Sequence, residues 1–174
     1  MKKTLIAFAA CAVAASSLNA FAADGTINFE GEVSNQTCSI EGSAGATNKT
    51  VVMNRVAATS MRAAGQTAGL KDFTMSLTGC TGSRALVRFE PGSTVDVATG
   101  NLKNQATTDA SNVQIQLLNA NQQQINLQTN DGSLETAITD QVATLKFYTQ
   151  YVAVGAAATA GAVKSSVQFS MDYF

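Results

Sequence analysis

Apolar and polar residues alternate along several segments of the chain, with the period of two that is typical of a strand packing one face on a core. The first such segment is residues 25–33, where Ile27, Phe29 and Val33 share the apolar face. Gly31 lies on the same face, at a place where a strand ordinarily carries a packing side chain. This glycine indicates that another part of a protein approaches the backbone closely there.

The alternation recurs through the rest of the chain and predicts an all-β fold. Its apolar positions are Phe73, Met75 and Leu77, then Ala85, Val87 and Phe89, then Val113, Ile115 and Leu117, then Ile125 and Leu127 as the second arm of a hairpin, and then Leu145, Phe147, Tyr151 and Ala153. A short strand is also predicted at residues 50–53. Short strands separated by turn sequences, without a convincing helical period after residue 22, favour a β-sandwich.

The last predicted strand, residues 163–173, has the most regular pattern in the chain. Its apolar face carries Val163, Val167, Phe169, Met171 and Tyr173, and only Ser165 interrupts the set. Ahead of it, residues 155–162 are rich in alanine, which favours a helix by propensity alone. Because this stretch is short and bounded by glycines, it is predicted to be a mobile loop.

The first 22 residues have the form of a secretory signal peptide. Lys2 and Lys3 give a positive start, a mostly apolar uncharged run follows, and Ala20 and Ala22 form the Ala-x-Ala pattern that favours cleavage after Ala22. Two alternatives fit this segment less well. A membrane anchor would need a longer apolar run, and lipoprotein processing at Cys11 would leave too short a signal.

Cleavage after residue 22 would change the charge and the cysteine count. The basic residues would fall from 11 to 9 against 12 acidic ones, a net charge of −3 with no basic cluster, so nucleic acid is not an expected partner. Cys38 and Cys80 would remain, and in an oxidising compartment they form the only possible intramolecular disulfide. A metal site is the competing use of two cysteines, but the chain has no His and no CxxC pair.

An enzymatic role finds no support in the residue types. Without His no His-based catalytic triad can exist, and the acidic residues fall in predicted loops and on outer faces. Two carboxylates such as Asp131 and Glu135 could meet on folding, but exposed acidic turns are the commoner explanation. The sequence therefore predicts a protein that is not an enzyme and carries no cofactor.

Two features near the N-terminus go together. The alternating block of residues 25–33, with its inward Gly31, is followed closely by Cys38-Ser39-Ile40. The pairing of Cys38 with Cys80 would lie inside a single all-β domain.

A third feature lies at the other end of the chain. Gly161 is the fourteenth residue counting back from Phe174, and Tyr173 is penultimate. Together the features at the two ends resemble the subunits of bacterial chaperone-usher fimbriae, the type 1 and P pilus class. The resemblance spans nearly the whole chain after residue 22.

The resemblance implies an incomplete immunoglobulin-like sandwich that lacks its final strand, so that a hydrophobic groove stays open beside the C-terminal strand. A periplasmic chaperone would cover the groove with a strand of its own, and an outer-membrane usher would exchange that strand for the N-terminal extension of the next subunit. The implied donor strand carries Gly25, Ile27, Phe29, Gly31 and Val33, and the implied groove strand carries Gly161, Val163, Val167, Phe169, Met171 and Tyr173.

The expected organisation follows from these assignments. Residues 1–22 form a cleaved signal peptide, 23–35 a donor-strand extension, and 36–174 the pilin domain. The expected product is a head-to-tail homopolymer in a fimbrium on the extracellular surface, reached through the periplasm and supporting cell adhesion. A host-surface receptor and the choice between major and minor subunit are left open.

Several alternatives remain at this point. Residues 25–33 could be an ordinary first strand of their own domain, and residues 163–173 a plain core strand. The protein could be a tip adhesin, a minor adaptor subunit or a stand-alone secreted carbohydrate-binding sandwich. A tip adhesin carries a lectin domain in place of a donor strand, and a sugar-binding sandwich usually exposes aromatic residues, whereas most aromatics here fall on inward faces and the chain has no Trp.

Overall fold

The structure is a computed structural model that describes residues 28, 38–41, 47–108 and 110–174. The chain divides into two units, Met1–Ser34 and Asn35–Phe174, and the strands of the described residues all belong to the second. The predicted signal peptide, residues 1–22, lies outside the described residues. So does the predicted donor strand, except for Asn28, which is exposed.

The domain is built from two antiparallel sheets. Its strands are β1 Ser39–Ile40, β2 Thr67–Thr78, β3 Arg84–Glu90, β4 Leu102–Lys103, β5 Val113–Leu118, β6 Thr136–Ala137, β7 Val142–Ala153 and β8 Gln168–Tyr173. The larger sheet has the order β1-β2-β7-β5-β4, and the smaller has the order β6-β3-β8. The only helix in the described residues is a single 3₁₀ turn, Ala58–Ser60. The predicted all-β fold is confirmed.

The core lies between the two sheets and is filled by the alternating apolar residues of the sequence. Leu77 of β2, Leu145 of β7 and Val87 of β3 are almost completely buried. Phe147 joins the two layers, because its ring stacks on Phe73 in the larger sheet and meets Phe89 of the smaller sheet edge to face. The packing of the two inner faces makes the domain a β-sandwich.

Strand β2 begins earlier than the alternation from Phe73 predicts. The pairing register between β2 and β7 shifts between Ala68 and Lys71, which marks a bulge. Gly69 sits in this bulge with φ of 73°, and a Cβ there would come within 2.9 Å of Val56 Cγ1. Glycine allows the strand to continue through this conformation. The first residues of β2 therefore pair with β7 without the alternation that predicts the rest of the strand.

Three other predictions need correction. Residues 50–53 form no strand. The predicted hairpin is reduced to one antiparallel bridge, Leu118↔Gln124, with the Ile125 amide donating to the Leu117 carbonyl. Ile125 and Leu127 are fully buried as expected, but neither belongs to a strand. The last strand begins at Gln168 and not at residue 163, because the backbone of Lys164 bonds to the Asn104 side chain and the Gln105 amide instead of to a neighbouring strand.

The predicted disulfide between Cys38 and Cys80 is present. It ties β1, at the start of the domain, to the loop between β2 and β3. In the loop-entropy account, closing a loop of this length contributes about 4 kcal/mol to the free energy of unfolding. Residues 155–162 contain no helix, as predicted.

A polar network covers one end of the larger sheet. Gln114 on β5 is buried; its amide nitrogen donates to Asp96 Oδ2, and its Oε1 accepts from Thr99 and Asn101. Asp96 also accepts hydrogen bonds from the amides of Ala98 and Thr99. Burial, the largest influence, tends to raise the pKa of Asp96, but these hydrogen bonds outweigh it and hold the pKa below its usual value.

Candidate functional site

A long groove of about 1150 Å³ opens beside the last strand of the smaller sheet. One wall is the extended segment from Val163 to Tyr173, and the opposite wall is the segment from Thr47 to Met53. The floor is apolar and comes mainly from the larger sheet, with Phe73 and Met75 of β2 and Ile115 and Leu117 of β5. The groove therefore runs along the inside of the sandwich, where another strand of the smaller sheet would lie.

The wall formed by β8 has an unpaired edge. Among the strands of the described residues, β8 pairs only with β3, from Ala85↔Tyr173 to Glu90↔Gln168. Every second residue from Val163 to Tyr173 is half-buried while the residues between them are exposed, apart from Asp172. Because the whole apolar face of this segment is only half-buried, the core beside β8 is covered on the β3 side and open on the groove side.

The structure brings the predicted groove residues together along this wall. Val163, Val167, Phe169, Met171 and Tyr173 all line the groove, and all pack against the main core. Gly161 lies apart from them: it is exposed and lines a second, smaller cavity. Ser165 lies on the same face, and its hydroxyl is buried without a hydrogen-bond partner in the described part of the chain.

The opposite wall was not recognised as part of a site from the sequence. Residues 47–57 belong to no strand, yet Val51 and Met53 turn inward while Val52 is 78% exposed. The same residues were predicted to form a short strand, residues 50–53, which the structure does not contain. Residues 50–53 pair with no strand of the described part of the chain, and they line the groove.

The smaller cavity, of about 570 Å³, adjoins one end of the groove. It shares Tyr151 and Val163 with the groove, and it is also lined by Gly161, Arg55 and Met61. Burial raises the pKa of the Tyr151 hydroxyl, so this phenol stays neutral well beyond physiological pH. The cavity extends the apolar groove towards the loop of residues 155–162.

Charges around the groove are unevenly distributed. Near one end, Lys49 pairs with Glu41 at 3.0 Å, and a hydrogen bond from Lys49 and one from the Ser76 amide lower the pKa of Glu41. On the β8 rim, Asp172 pairs with Arg88 at 2.6 Å. In each of these two pairs the positive and the negative charge neutralise one another.

The opposite end carries two cations, Arg55 and Lys164. Both are exposed, and neither forms an ion pair with any carboxylate of the described residues. Arg55 lines the smaller cavity, and Lys164 directly follows Val163, which lines both cavities. Glu90 also lines the groove on this side and accepts a hydrogen bond from the Ser170 hydroxyl at 2.6 Å. The two cations outnumber this acid, so the net charge where the groove meets the smaller cavity is positive.

Metal binding finds no support in the residues that the structure describes. No group of three or more Cys, Asp or Glu among them could hold a metal ion. In the same part of the chain, no helix has both the length and the apolar character needed to cross a bilayer. The groove and the unpaired edge of β8 are the features that distinguish the described part of the domain.

An incomplete β-sandwich with an apolar groove along its last strand is the immunoglobulin-like fold of fimbrial subunits. A family model described as type-1 fimbrial protein, A, matches residues 53–174. The major fimbrial subunit SMF-1 of Stenotrophomonas maltophilia is 41% identical over 169 residues, covering 92% of this chain and 99% of the relative. The F17 fimbrial protein of Escherichia coli is 42% identical over 170 residues, covering 92% and 93%.

A solved structure of a chaperone-usher pilus shares the fold. It superposes with a TM-score of 0.61 at 19% identity, covering 87% of this chain and 96% of that one. The chain belongs to the type-1 fimbrial protein family, and it is a structural subunit of a fimbria. Fimbrial subunits are extracellular components of the surface pilus, and members of this family polymerise into pili.

Proposed function

We propose that this subunit polymerises by donor-strand exchange, in which residues 25–33 of one copy enter the groove of the next. The observation that carries the proposal is the groove itself, which separates the free edge of β8 from the segment Thr47–Met53. A strand placed there can exchange backbone hydrogen bonds with both walls. Pairing of this kind adds a strand to an exposed sheet edge and is a recurrent mode of peptide recognition.

The side chains of residues 25–33 suit an apolar floor. Ile27, Phe29 and Val33 would point towards Phe73, Met75, Ile115 and Leu117, and each would contribute roughly 1.5–3 kcal/mol by burial before the cost of ordering the segment is subtracted. Gly31 would face the place where the groove is too shallow for a side chain. Backbone pairing then gives affinity, and the alternating side chains decide which face of the inserted strand turns towards the floor.

The proposal extends to the route and the product. Before assembly, a periplasmic chaperone would cover the groove with one of its own strands, and an outer-membrane usher would exchange it for the extension of the incoming subunit. Residues 1–22 would serve as the signal peptide, 23–35 as the extension and 36–174 as the domain. The subunit would have no enzymatic activity, because assembly needs no chemical step.

Donor and acceptor surfaces lie on different parts of each copy, so the contact is heterologous. A heterologous contact that does not close into a ring gives an open, head-to-tail filament. Each added subunit would present a fresh donor segment or groove at the growing end. This arrangement explains how a single small domain can build a long fibre.

The test is electrophoresis of sheared surface fibres in SDS, with and without heating. Donor-strand linkage predicts a ladder of oligomers in the unheated lane that collapses to one band on boiling. A single monomer band in the unheated lane would overturn the proposal. The matched variant is Gly31→Asn, which places a polar side chain on the face of the donor segment that would meet the groove.

A further inference from the structure

Two cations, Arg55 and Lys164, lie at one end of the groove. Their side chains are exposed and lack ion-pair partners in the described ranges, whereas Lys49 and Arg88 beside the same groove are each paired with an acid. The backbone of Lys164 is held by Asn104 and Gln105, so its side chain projects from a fixed position. Glu90, the one carboxylate among the groove-lining residues, lies opposite Gln168, four residues along the wall from Lys164. Two cations and one acid leave this end of the groove with a net positive charge.

The segment proposed to enter the groove carries the complementary charge. In residues 25–33 the outward face bears Asn28, Glu30 and Glu32, so its acidic groups are concentrated beside Gly31 and Val33. The groove has one cationic end, and the segment has one acidic half. Matching them fixes which half of the segment lies at which end of the groove.

We propose that Arg55 and Lys164 recognise Glu30 and Glu32 of a second copy of this chain, and so set the direction and register of the inserted segment. The inference rests on the proposed function. In this arrangement Val33 lies near Val163, and Ile27 lies towards Tyr173. The reverse direction would place the glutamates beside the already paired Asp172 and would bring Asp24 to the cationic end.

The physical effect expected of such a contact is mainly on encounter and register. Exposed ion pairs contribute little to final stability, but complementary charges speed association and suppress wrong alignments. A wrong register by two residues would keep apolar groups facing inward, so apolar burial alone discriminates weakly against it. The cations distinguish the correct alignment because only there do both glutamates meet a positive charge.

The experiment measures the rate at which purified full-length subunits form the SDS-stable ladder at low ionic strength. Arg55→Glu with Lys164→Glu, and separately Glu30→Lys with Glu32→Lys, should each slow polymerisation about tenfold. Combining all four substitutions should restore the rate to within about twofold of wild type, because the charges match again. Raising the salt towards 1 M should bring all rates together, since the screening length falls to about 3 Å.

Two controls separate this contact from general charge effects. Lys146→Glu reverses one charge on the outer face of β7, away from the groove, which is the change made at each of Arg55 and Lys164, and it should leave the rate unchanged. Asp24→Lys should also have little effect, and a larger effect there than from Glu30→Lys with Glu32→Lys would show the reverse direction. If the Arg55→Glu, Lys164→Glu variant does not fold, Arg55→Gln with Lys164→Gln replaces it, with an expected slowing of about threefold.

The outcomes distinguish the inference from the function on which it rests. A heat-sensitive ladder in wild type, with charge variants that assemble equally fast at low salt, overturns the inference and leaves donor-strand exchange standing. The inference is also overturned if the variant with all four substitutions polymerises as slowly as the two double variants. Absence of a ladder from wild-type fibres overturns the proposed function.

Discussion

Phe147 is the residue at which the stability of the sandwich can be tested most sharply. It is 5% exposed on β7, pairs directly with Phe73 of β2, and its ring centroid lies 5.4 Å from that of Phe73 and 5.9 Å from that of Phe89. Phe147→Ala would remove both ring contacts and leave a cavity between the sheets. The expected loss is about 3–5 kcal/mol in the free energy of unfolding, of which each aromatic pair accounts for about 0.5–1.5 kcal/mol.

The assay is urea-induced unfolding of the monomeric subunit. With a urea dependence of about 1–3 kcal/mol per molar, the midpoint should fall by more than about 1 M. Phe174→Ala is the matched control. Phe174 is 48% exposed and its ring lies 5.8 Å from the Arg84 guanidinium, so its loss should cost less than about 1 kcal/mol. A loss below about 1 kcal/mol for Phe147→Ala would refute the view that this ring joins the two sheets.

Three further predictions follow from the disulfide, the donor segment and the polar network. Cys38→Ser should remove about 4 kcal/mol and lower the periplasmic level of the subunit measured by immunoblot, whereas Cys11→Ser should not; equal levels would argue against a structural bridge. Gly31→Asn should block subunit addition on the SDS ladder while chaperone capture persists, and normal fibres from that variant would contradict the donor assignment; Asn28→Gln, on the opposite face, is the control. Hydrogen bonds hold the folded pKa of Asp96 below its unfolded value, so Asp96→Asn should lower the free energy of unfolding at neutral pH by about 1 kcal/mol. The difference between wild type and variant should be full above about pH 4 and vanish as the pH falls through the folded pKa. A difference in urea unfolding that does not depend on pH would show that the charge is not involved.

The strands with strong alternation could be predicted from the sequence because each packs one apolar face on the core. Phe73, Val87 and Leu145 stand on such faces, and the strands that carry them are all present. The disulfide was equally accessible, since only two cysteines remain after the predicted signal. A strand that shows a local alternating pattern, and a disulfide for which only one pairing exists, can both be predicted without a structure.

The missed features depend on contacts between distant segments. Leu127 is fully buried in a turn, and its amide donates to the Gly100 carbonyl, a contact between distant segments that no local pattern reveals. The two-residue strands β1, β4 and β6 are too short for alternation to show. Lys164 is far in sequence from residues 47–53 and Arg55. Their place beside one groove could not be predicted, because only folding brings these segments together.

The candidate site was predicted in part. Val163 to Tyr173 were expected to line a groove because of a resemblance at the two ends of the chain, and the structure places these residues along one. That residues 25–33 fill the groove of another copy stays a prediction, because those residues lie outside the described part of the chain. The same holds for the roles of Gly25 and Gly161.

The measurement that tests the central claim most directly is cross-linking in fibres grown from an equal mixture of ¹⁴N- and ¹⁵N-labelled subunits. A photoreactive residue in place of Phe29 would be activated in the assembled fibre, and mass spectrometry would identify the peptides joined to it. The account predicts cross-links to the segment from Val163 to Tyr173, with mixed light–heavy pairs as abundant as the two pure pairs together. Cross-links to that segment found only within pure light or pure heavy pairs would show that each copy fills its own groove, and donor-strand exchange would be contradicted.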